Sequence, residues 1–122
     1  DCFKDNLKAI TEFIVEEKAN LALTHVLNYP NPFTTNTRFM FEHNKPGTSL
    51  DLKIEIFTVT GKVIKTITKN INTLGYRVDD ITWDGLDEYG DKIGRGVYIY
   101  RISLKDESGK KVSQYQKLVI LN

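Results

Sequence analysis

The sequence predicts an all-β domain, an antiparallel β-sandwich of about seven strands, and three observations carry this prediction. After Leu21, apolar residues recur at every second position in short runs, which is the period of a strand with one buried face. The runs follow one another at the regular spacing of a sandwich or barrel, separated by short turns rich in Gly, Pro and Asp. No stretch combines a helical period with helix caps, and such short connections join antiparallel neighbours.

The composition fits one domain with a normal core. The 122 residues are 40% hydrophobic and 27% charged, and 17 Lys and Arg balance 16 Asp and Glu to a net charge of +1. This balance lacks the basic footprint of a protein that binds nucleic acid or adheres to an anionic membrane. No apolar run approaches about 18 residues, the length that a membrane-spanning helix needs. We therefore expect no nucleic-acid partner and no membrane-spanning segment.

The first two predicted strands lie on either side of a proline-rich step. Residues 21–27 alternate apolar and polar side chains, and residues 37–42 place Phe39 and Phe41 on one face. Between them, the segment YPNPF at 29–33 interrupts any regular ladder because each proline lacks a backbone N–H and fixes φ. Two prolines separated by one residue favour an extended, stiff step, which we expect to carry the chain around a sandwich edge.

The next two strands form a predicted hairpin. Residues 50–59 alternate cleanly through position 56, with Glu55 among the polar side chains opposite the apolar face. Residues 63–68 then return after a turn in which Gly61 supplies the positive φ that a tight hairpin requires.

The last three predicted strands are 77–83, 96–105 and 111–121. The first of them ends at Trp83 and leads into an acidic, glycine-rich connection over residues 84–95, which is typical of a tight strand reversal. The last of them closes with the apolar run 118–121. Because chain ends normally fray, this run must be paired into the sheet or held by a partner.

The first twenty residues differ from the rest. Residues 8–15 alternate in part and predict a strand, with a helix as the alternative, and residues 16–20 are polar, as in an interdomain linker. We expect residues 1–20 to be the trailing strand of a preceding domain with its linker, and residues 21–122 to be the main domain. The chain begins at Asp1, so we expect a piece of a longer protein or a processed product. The single Cys2 has no internal disulfide partner, and we expect it to be incidental.

The acidic connection contains Asp84, Asp87, Glu88 and Asp91, which allow two interpretations. Calcium takes about six to eight converging oxygen ligands, and this spacing does not match the helix–loop–helix calcium pattern. The alternative is that these carboxylates cap turn N–H groups, and we favour it. We expect no metal or cofactor in the chain, and a calcium-dependent shift in melting temperature would reveal a calcium site.

The titratable residues do not form a catalytic pattern. His25, His43 and Cys2 do not have the spacing of a tetrahedral zinc site, and we expect both histidines to be ordinary surface or edge residues. Asp79 and Asp80 are adjacent on a predicted strand, where they would point to opposite faces and could not share acid–base work. The sequence shows no nucleophile elbow or phosphate-cradling loop, so we expect no catalytic residue and no small-molecule substrate.

Trp83 also allows two interpretations, a core residue or a stacking platform for carbohydrate. We favour the core, because this tryptophan ends a strand before a tight turn. Five of the six tyrosines could likewise line a binding face, although tyrosine is common in any strand. They are Tyr76, Tyr89, Tyr98, Tyr100 and Tyr115.

Several stretches in a fixed order resemble a known family. They are NYPNPF at 28–33 with the following Phe39/Phe41 strand, IEIFTVTGKV at 54–63, WDG at 83–85 with the later GVYIYR at 96–101, and KLVIL at 117–121. Their order and spacing resemble the C-terminal secretion-signal domain of the type IX secretion system of Bacteroidetes, in its flagellar-hook-capping-like immunoglobulin-fold form. The resemblance covers about residues 21–122 and implies an immunoglobulin-like sandwich.

A narrower resemblance, carried by FIV at 13–15 and NLAL at 20–23, by VLNYPNPFT at 26–34, and by FEHN at 41–44 and IFTVTGK at 56–62, is to the retained C-terminal domain of PorU-type sortases. It implies that the parent is a gingipain-like cysteine peptidase that removes signal domains from cargo and transfers the cargo to a lipopolysaccharide anchor. It also implies a position at the outer cell surface, outer-membrane associated or secreted, with an outer-membrane barrel of the PorV type and other secretion proteins as partners. The family's catalytic Cys and His belong to the peptidase domain, and Cys2 does not match that nucleophile.

The apolar end of the chain is the predicted docking element for such a partner. Lys110, Lys111 and Lys117 resemble the charged gatekeepers of an exposed strand, which suits a partner that grips an edge. The predicted docking residues are Lys117, Leu118, Val119, Ile120, Leu121 and Asn122. The predicted function is a non-catalytic sorting and anchoring domain of such a peptidase. The alternatives are a secretion signal on another enzyme or adhesin, and a carbohydrate- or surface-adhesion module that uses Trp83 and the tyrosines.

Overall fold

A computed structural model describes residues 21–121, so the predicted N-terminal strand and linker at 1–20, and Asn122, lie outside the described residues. Within this range the chain forms seven strands and no helix, which confirms the predicted β-sandwich. The strands are β1 (Leu23–Tyr29), β2 (Thr37–His43), β3 (Leu50–Phe57), β4 (Val63–Ile71), β5 (Arg77–Trp83), β6 (Gly96–Lys105) and β7 (Lys111–Ile120). Accordingly, residues 21–121 contribute no helix long and apolar enough to cross a membrane.

Two antiparallel sheets enclose the core. One has the order β1-β2-β5 and the other β4-β3-β6-β7, so β1 and β5 are edges of the first sheet and β4 and β7 are edges of the second. The inner faces carry the apolar residues that the alternation predicts, including Phe39, Ile54 and Tyr100, all fully buried. Phe39 lies at the centre, with its ring 4.9 Å from that of Tyr100 and 6.3 Å from that of Trp83. The Tyr100 hydroxyl has no hydrogen-bond partner among the described residues.

A β-bulge breaks the alternation predicted for β1. The register against β2 shifts between Thr24 and Leu27, and His25 takes a positive φ of 55°. The extra residue reverses the phase, so Val26 is buried while Leu27 is 45% exposed. His25 is on the surface as predicted, with Nδ1 2.7 Å from a carboxylate oxygen of Glu42.

A second bulge corrects the prediction for the paired aspartates. The register of β2 against β5 shifts between Phe39 and Phe41, which face Ile81 and Val78 respectively. One extra residue of β5 is accommodated there, and both Asp79 and Asp80 are exposed instead of pointing to opposite faces.

Three turns share one construction, which was not predicted from the sequence. They span 58–62, 87–91 and 106–110, and in each the first residue's N–H donates to the fifth residue's carbonyl. The first side chain is Thr58, Asp87 or Asp106, and its oxygen accepts the fifth residue's N–H at 2.9–3.1 Å. The fourth residue is always a glycine with φ between 81° and 95°, a region that glycine enters without steric cost. In the last turn, the Ser108 hydroxyl and the N–H groups of Lys110 and Ser108 donate to the Asp106 carboxylate and lower its pKa.

His43 is buried, so the prediction that it is a surface or edge residue is wrong. It is only 4% exposed, its Nε2 lies 2.8 Å from the Thr73 hydroxyl oxygen, and its Nδ1 accepts the Lys45 N–H at 3.1 Å. A ring that accepts at Nδ1 and donates from Nε2 is neutral. The physical reason is the loop before β5, which covers the end of β2. Desolvation by this burial lowers the pKa of His43.

This burial predicts a pH-dependent stability. Because the pKa of His43 is lower in the folded state than in the unfolded state, the unfolded chain binds the proton more tightly. The stabilisation is therefore present above the unfolded pKa of about 6.5 and declines as the pH falls below it, by at most about 1.4 kcal/mol per pH unit. We expect urea unfolding between pH 7.5 and 5 to show this decline, and His43→Gln to flatten it. An equal slope in both proteins would contradict this assignment.

Candidate docking surface

The end of β7 splits the predicted docking residues into two groups. Leu118 and Ile120 are buried in the core and anchor the strand. Lys117, Val119 and Leu121 alternate with them and lie on the outer side, where Lys117 and Leu121 are exposed and Val119 is half-buried. Only this second group is accessible to another molecule, and Asn122 lies beyond the described range.

The outer backbone edge of this half of β7 is covered by residues 30–33, which we call the strap. The Phe33 N–H donates to the Val119 carbonyl at 3.0 Å, and the Leu121 N–H donates to the Phe33 carbonyl at 2.9 Å. The side-chain amide of Asn31 continues this pattern, because it donates to the Lys117 carbonyl at 3.1 Å and accepts the Val119 N–H at 3.0 Å. The chain itself therefore occupies the edge from Lys117 to Leu121, and access is through side chains.

The strap is held from the three-stranded sheet. Its Phe33 is buried with its ring 5.7 Å from that of Trp83, edge to face. Thr37 donates its hydroxyl to the Pro30 carbonyl at 2.8 Å. The segment does carry the chain around a sandwich edge, but it bends instead of extending, and the Tyr29–Pro30 and Asn31–Pro32 peptides are both cis. The predicted extended conformation is wrong, because residues 30–32 bend so that Phe33 pairs with β7 and packs against Trp83.

Two glutamines tie β7 to the other sheet. Gln116 donates from Nε2 to the Val26 carbonyl at 3.1 Å, and Gln114 donates to the Leu23 carbonyl. These bonds occupy carbonyl groups of β1, an edge strand of the first sheet. These contacts were not predicted, although polar residues at positions in phase with the buried Leu118 and Ile120 are a signal of them.

An arginine-centred cluster lies on the outer face of the four-stranded sheet, the face turned away from the other sheet. Arg101 on β6 donates from Nε to the Glu55 carboxylate at 3.1 Å and also from Nη2, and its Nη1 donates to the Tyr115 hydroxyl at 3.0 Å. The guanidinium lies 5.7 Å and 5.6 Å from the ring centroids of Phe57 and Tyr115. The hydrogen bond to Glu55, followed by that to Tyr115, raises the pKa of Arg101. Glu55 is on the predicted polar face, but Arg101 covers it and leaves it buried.

Next to the arginine-centred cluster, the outer face of the four-stranded sheet is apolar. Val97 pairs directly with Val119, Ile99 pairs with Phe57, and Phe57 also pairs with Val63. Val59 in the adjoining turn is 67% exposed and Val97 is 46% exposed. A shallow pocket of about 300 Å³ opens between Phe57, Val59, Ile99, Arg101 and Tyr115. We call the set the outer apolar patch; it consists of Phe57, Val59, Val63, Val97, Ile99 and Val119.

The aromatic residues do not form a separate binding face. Trp83 is 3% exposed and its Nε1 donates to the Leu86 carbonyl at 3.0 Å, which confirms the core interpretation and removes the stacking platform from the carbohydrate alternative. Tyr100 is in the core, and the half-buried Tyr98 donates its hydroxyl to the Gly94 carbonyl at 2.6 Å. Tyr76 and Tyr89 are exposed on loops, and only Tyr115 borders the outer apolar patch.

The acidic connection caps turns, as favoured from the sequence. Asp84 accepts the Leu86 N–H at 3.1 Å, Asp87 accepts those of Tyr89 and Asp91 at 2.9 Å, and Glu88 accepts that of Thr66 on β4. Across residues 21–121, no three His, Cys, Asp or Glu side chains are grouped as metal ligands would be.

Comparison with solved structures found PorU among the proteins with a similar fold. A crystal structure of dimeric latent PorU from Porphyromonas gingivalis superposes with a TM-score of 0.72 and 28% sequence identity. The match covers 83% of this chain but 9% of the PorU chain, so it concerns one small part of a much larger protein. This likeness supports a PorU-like immunoglobulin-type domain.

A second neighbour is similar in fold. A crystal structure of FlgD from Xanthomonas campestris, described in connection with the hook capping essential for flagellar assembly, superposes with a TM-score of 0.57 at 16% identity, covering 87% of this chain and 75% of that one. At this identity the likeness concerns the fold alone. No protein-family model and no curated protein matches the chain.

Proposed function

We propose that this chain is a non-catalytic sorting and anchoring domain of the type IX secretion system, the C-terminal domain of a gingipain-like cysteine peptidase of the PorU sortase type. The observation that carries the proposal is the 28% identity to PorU over 83% of this chain at a TM-score of 0.72. The ordered motifs at 28–33, 54–63 and 83–101 support it from the sequence. The described histidines also have structural partners, Glu42 for His25 and Thr73 for His43.

In this role the domain is a rigid attachment site at the outer cell surface. Its partners are an outer-membrane barrel of the PorV type and other proteins of the secretion machinery. The strap, the β7 glutamines and the buried Leu118 and Ile120 hold the end of the chain in one conformation. Because the end of the chain is already ordered before contact, it loses little conformational entropy when the partner binds, which favours tight association.

Removal of the terminal segment tests this function. Deletion of residues 117–122 from the parent protein should abolish its surface localisation, measured by protease accessibility on intact cells. Because the deletion also removes Leu118 and Ile120 from the core, a second variant is needed that changes only outward-facing positions, Lys117→Glu with Leu121→Ser. Export and anchoring of the deleted parent at wild-type levels would refute the proposal.

A further inference from the structure

We propose that the partner grips this domain through the outer apolar patch, face-on to the four-stranded sheet, and that the partner is a protein surface of apolar side chains carrying carboxylates opposite Lys62 and Lys117. This inference rests on the proposed function, because it says how the anchoring domain is held. It differs from the edge contact that the sequence suggested.

Both sheet edges beside the patch are closed by the chain itself. On one side, Asn31 and Phe33 of the strap bond the outer groups of Lys117, Val119 and Leu121. On the other side, the Glu88 N–H donates to the Ile64 carbonyl at 3.1 Å, and its carboxylate accepts the Thr66 N–H. A strand added at either position would have to displace these bonds, whereas a surface laid on the outer face displaces only water.

The outer apolar patch has the features of the central, buried part of a protein–protein interface. Its side chains come from β3, β4, β6, β7 and the 58–62 turn. Direct pairing joins Val63, Phe57 and Ile99 in one row, with Lys117 opposite Ile99, and Val97 with Val119 in the next row. Val97 and Ile99 are two residues apart on β6 and lie on the same face, so the two rows are neighbours. Most are β-branched, so they present a flat surface on which another sheet or a helix can pack. The pocket of about 300 Å³ at its upper end, walled by Phe57 and Tyr115, has room for an inserted side chain. An exposed apolar area bounded by polar residues is typical of an interaction site.

The charges around the patch select the partner. Lys62 and Lys117 are exposed at its border. Of the nearby carboxylates, Glu55 is paired with the Arg101 guanidinium, whereas Glu88 accepts a backbone N–H and keeps its charge. The two lysines outnumber that one carboxylate, so the rim is net positive. A carboxylate on the partner complements this rim and favours association. A second copy docking by two-fold symmetry would bring the same lysines together, which is repulsive.

Two exposed valines provide the test in the full-length parent protein. Val59→Glu with Val97→Glu places negative charge where the partner's carboxylates approach, at positions exposed enough to leave the core intact. The matched control is Leu27→Glu with Tyr29→Glu, at 45% and 62% exposure on the outer face of the other sheet. We expect the surface-anchored fraction to fall roughly tenfold or more in the patch variant and to stay at the wild-type level in the control.

Further arms separate the possible outcomes. Lys117→Glu should reduce anchoring and Lys117→Arg should preserve it, because the partner's carboxylate interacts with the positive charge at this position.

If deletion of 117–122 abolishes anchoring while the patch variant anchors normally, face-on docking is overturned and the proposed function stands. If both variants anchor normally, the proposed function itself fails. If the double variant unfolds, the single variant Val59→Glu replaces it in this test, because Val59 lies in a turn. Two further results would overturn the inference, because each would show a different molecule on the patch. One is self-association of the parent protein in light scattering that the patch variant abolishes, and the other is binding to anionic lipid vesicles that the patch variant abolishes.

Discussion

Replacing Trp83 by alanine is expected to lower the free energy of unfolding by about 3–5 kcal/mol. The indole is 3% exposed, lies between the rings of Phe33 and Phe39, and donates to the Leu86 carbonyl. Its removal therefore leaves a large cavity where the strap meets the core and frees a partly buried carbonyl. Urea unfolding of the 122-residue chain, followed by circular dichroism because the substitution removes the single tryptophan, measures the loss.

Two comparisons make this result specific. Trp83→Phe should retain much of the stability, because it keeps an aromatic ring against Phe39. Val59→Ala changes an exposed side chain and should stay within about 0.5 kcal/mol of wild type. A loss below about 1 kcal/mol for Trp83→Ala would contradict the core role.

Replacing Asn31 by alanine is expected to lower the free energy of unfolding by about 2 kcal/mol. Its amide makes three hydrogen bonds, to the Lys117 carbonyl, the Val119 N–H and the Asn28 side chain. Loss of these bonds weakens the attachment of the strap to β7, which then depends on the two backbone bonds of Phe33. Hydrogen exchange gives a local measurement, and the Val119 amide should lose more protection than any amide in the interior of β3.

Asn31→Asp separates the contributions of this one side chain. A carboxylate can still accept the Val119 N–H but cannot donate to the Lys117 carbonyl, so its effect should lie between those of wild type and alanine. Unchanged stability together with unchanged exchange at Val119 in the alanine variant would show that the strap is held by Phe33 alone.

These effects bear on the proposed function through the end of the chain. The strap positions Val119, which belongs to the outer apolar patch, and Leu121, which follows it on the same side of the strand. A variant that loosens the strap should therefore weaken anchoring without changing any patch residue. Asn31 is in that sense a positioning residue for docking.

Much of the fold could be predicted because the strands are regular where both faces have clear partners. The bounds predicted for β5 and β6 agree with the structure, and Trp83 is in the core as favoured. The failures at β1 and β5 have one cause: a bulge adds a residue to one strand, and the added residue has no distinctive signature in a single sequence. His43 failed for another reason, since a loop that is distant in sequence covers it.

The sequence alone determined the all-β class, the order of the strands along the chain, the glycine turns and the family resemblance, because alternation and turn chemistry act between near neighbours. Only the tertiary structure decided that the strap occupies the edge of β7, that Arg101 covers Glu55, and that valines from distant strands form one exposed face. Those contacts join residues far apart along the chain, and the register of paired strands sets which of them meet. The residues that a partner can reach are therefore a property of the packed sheets, and no local pattern contains them.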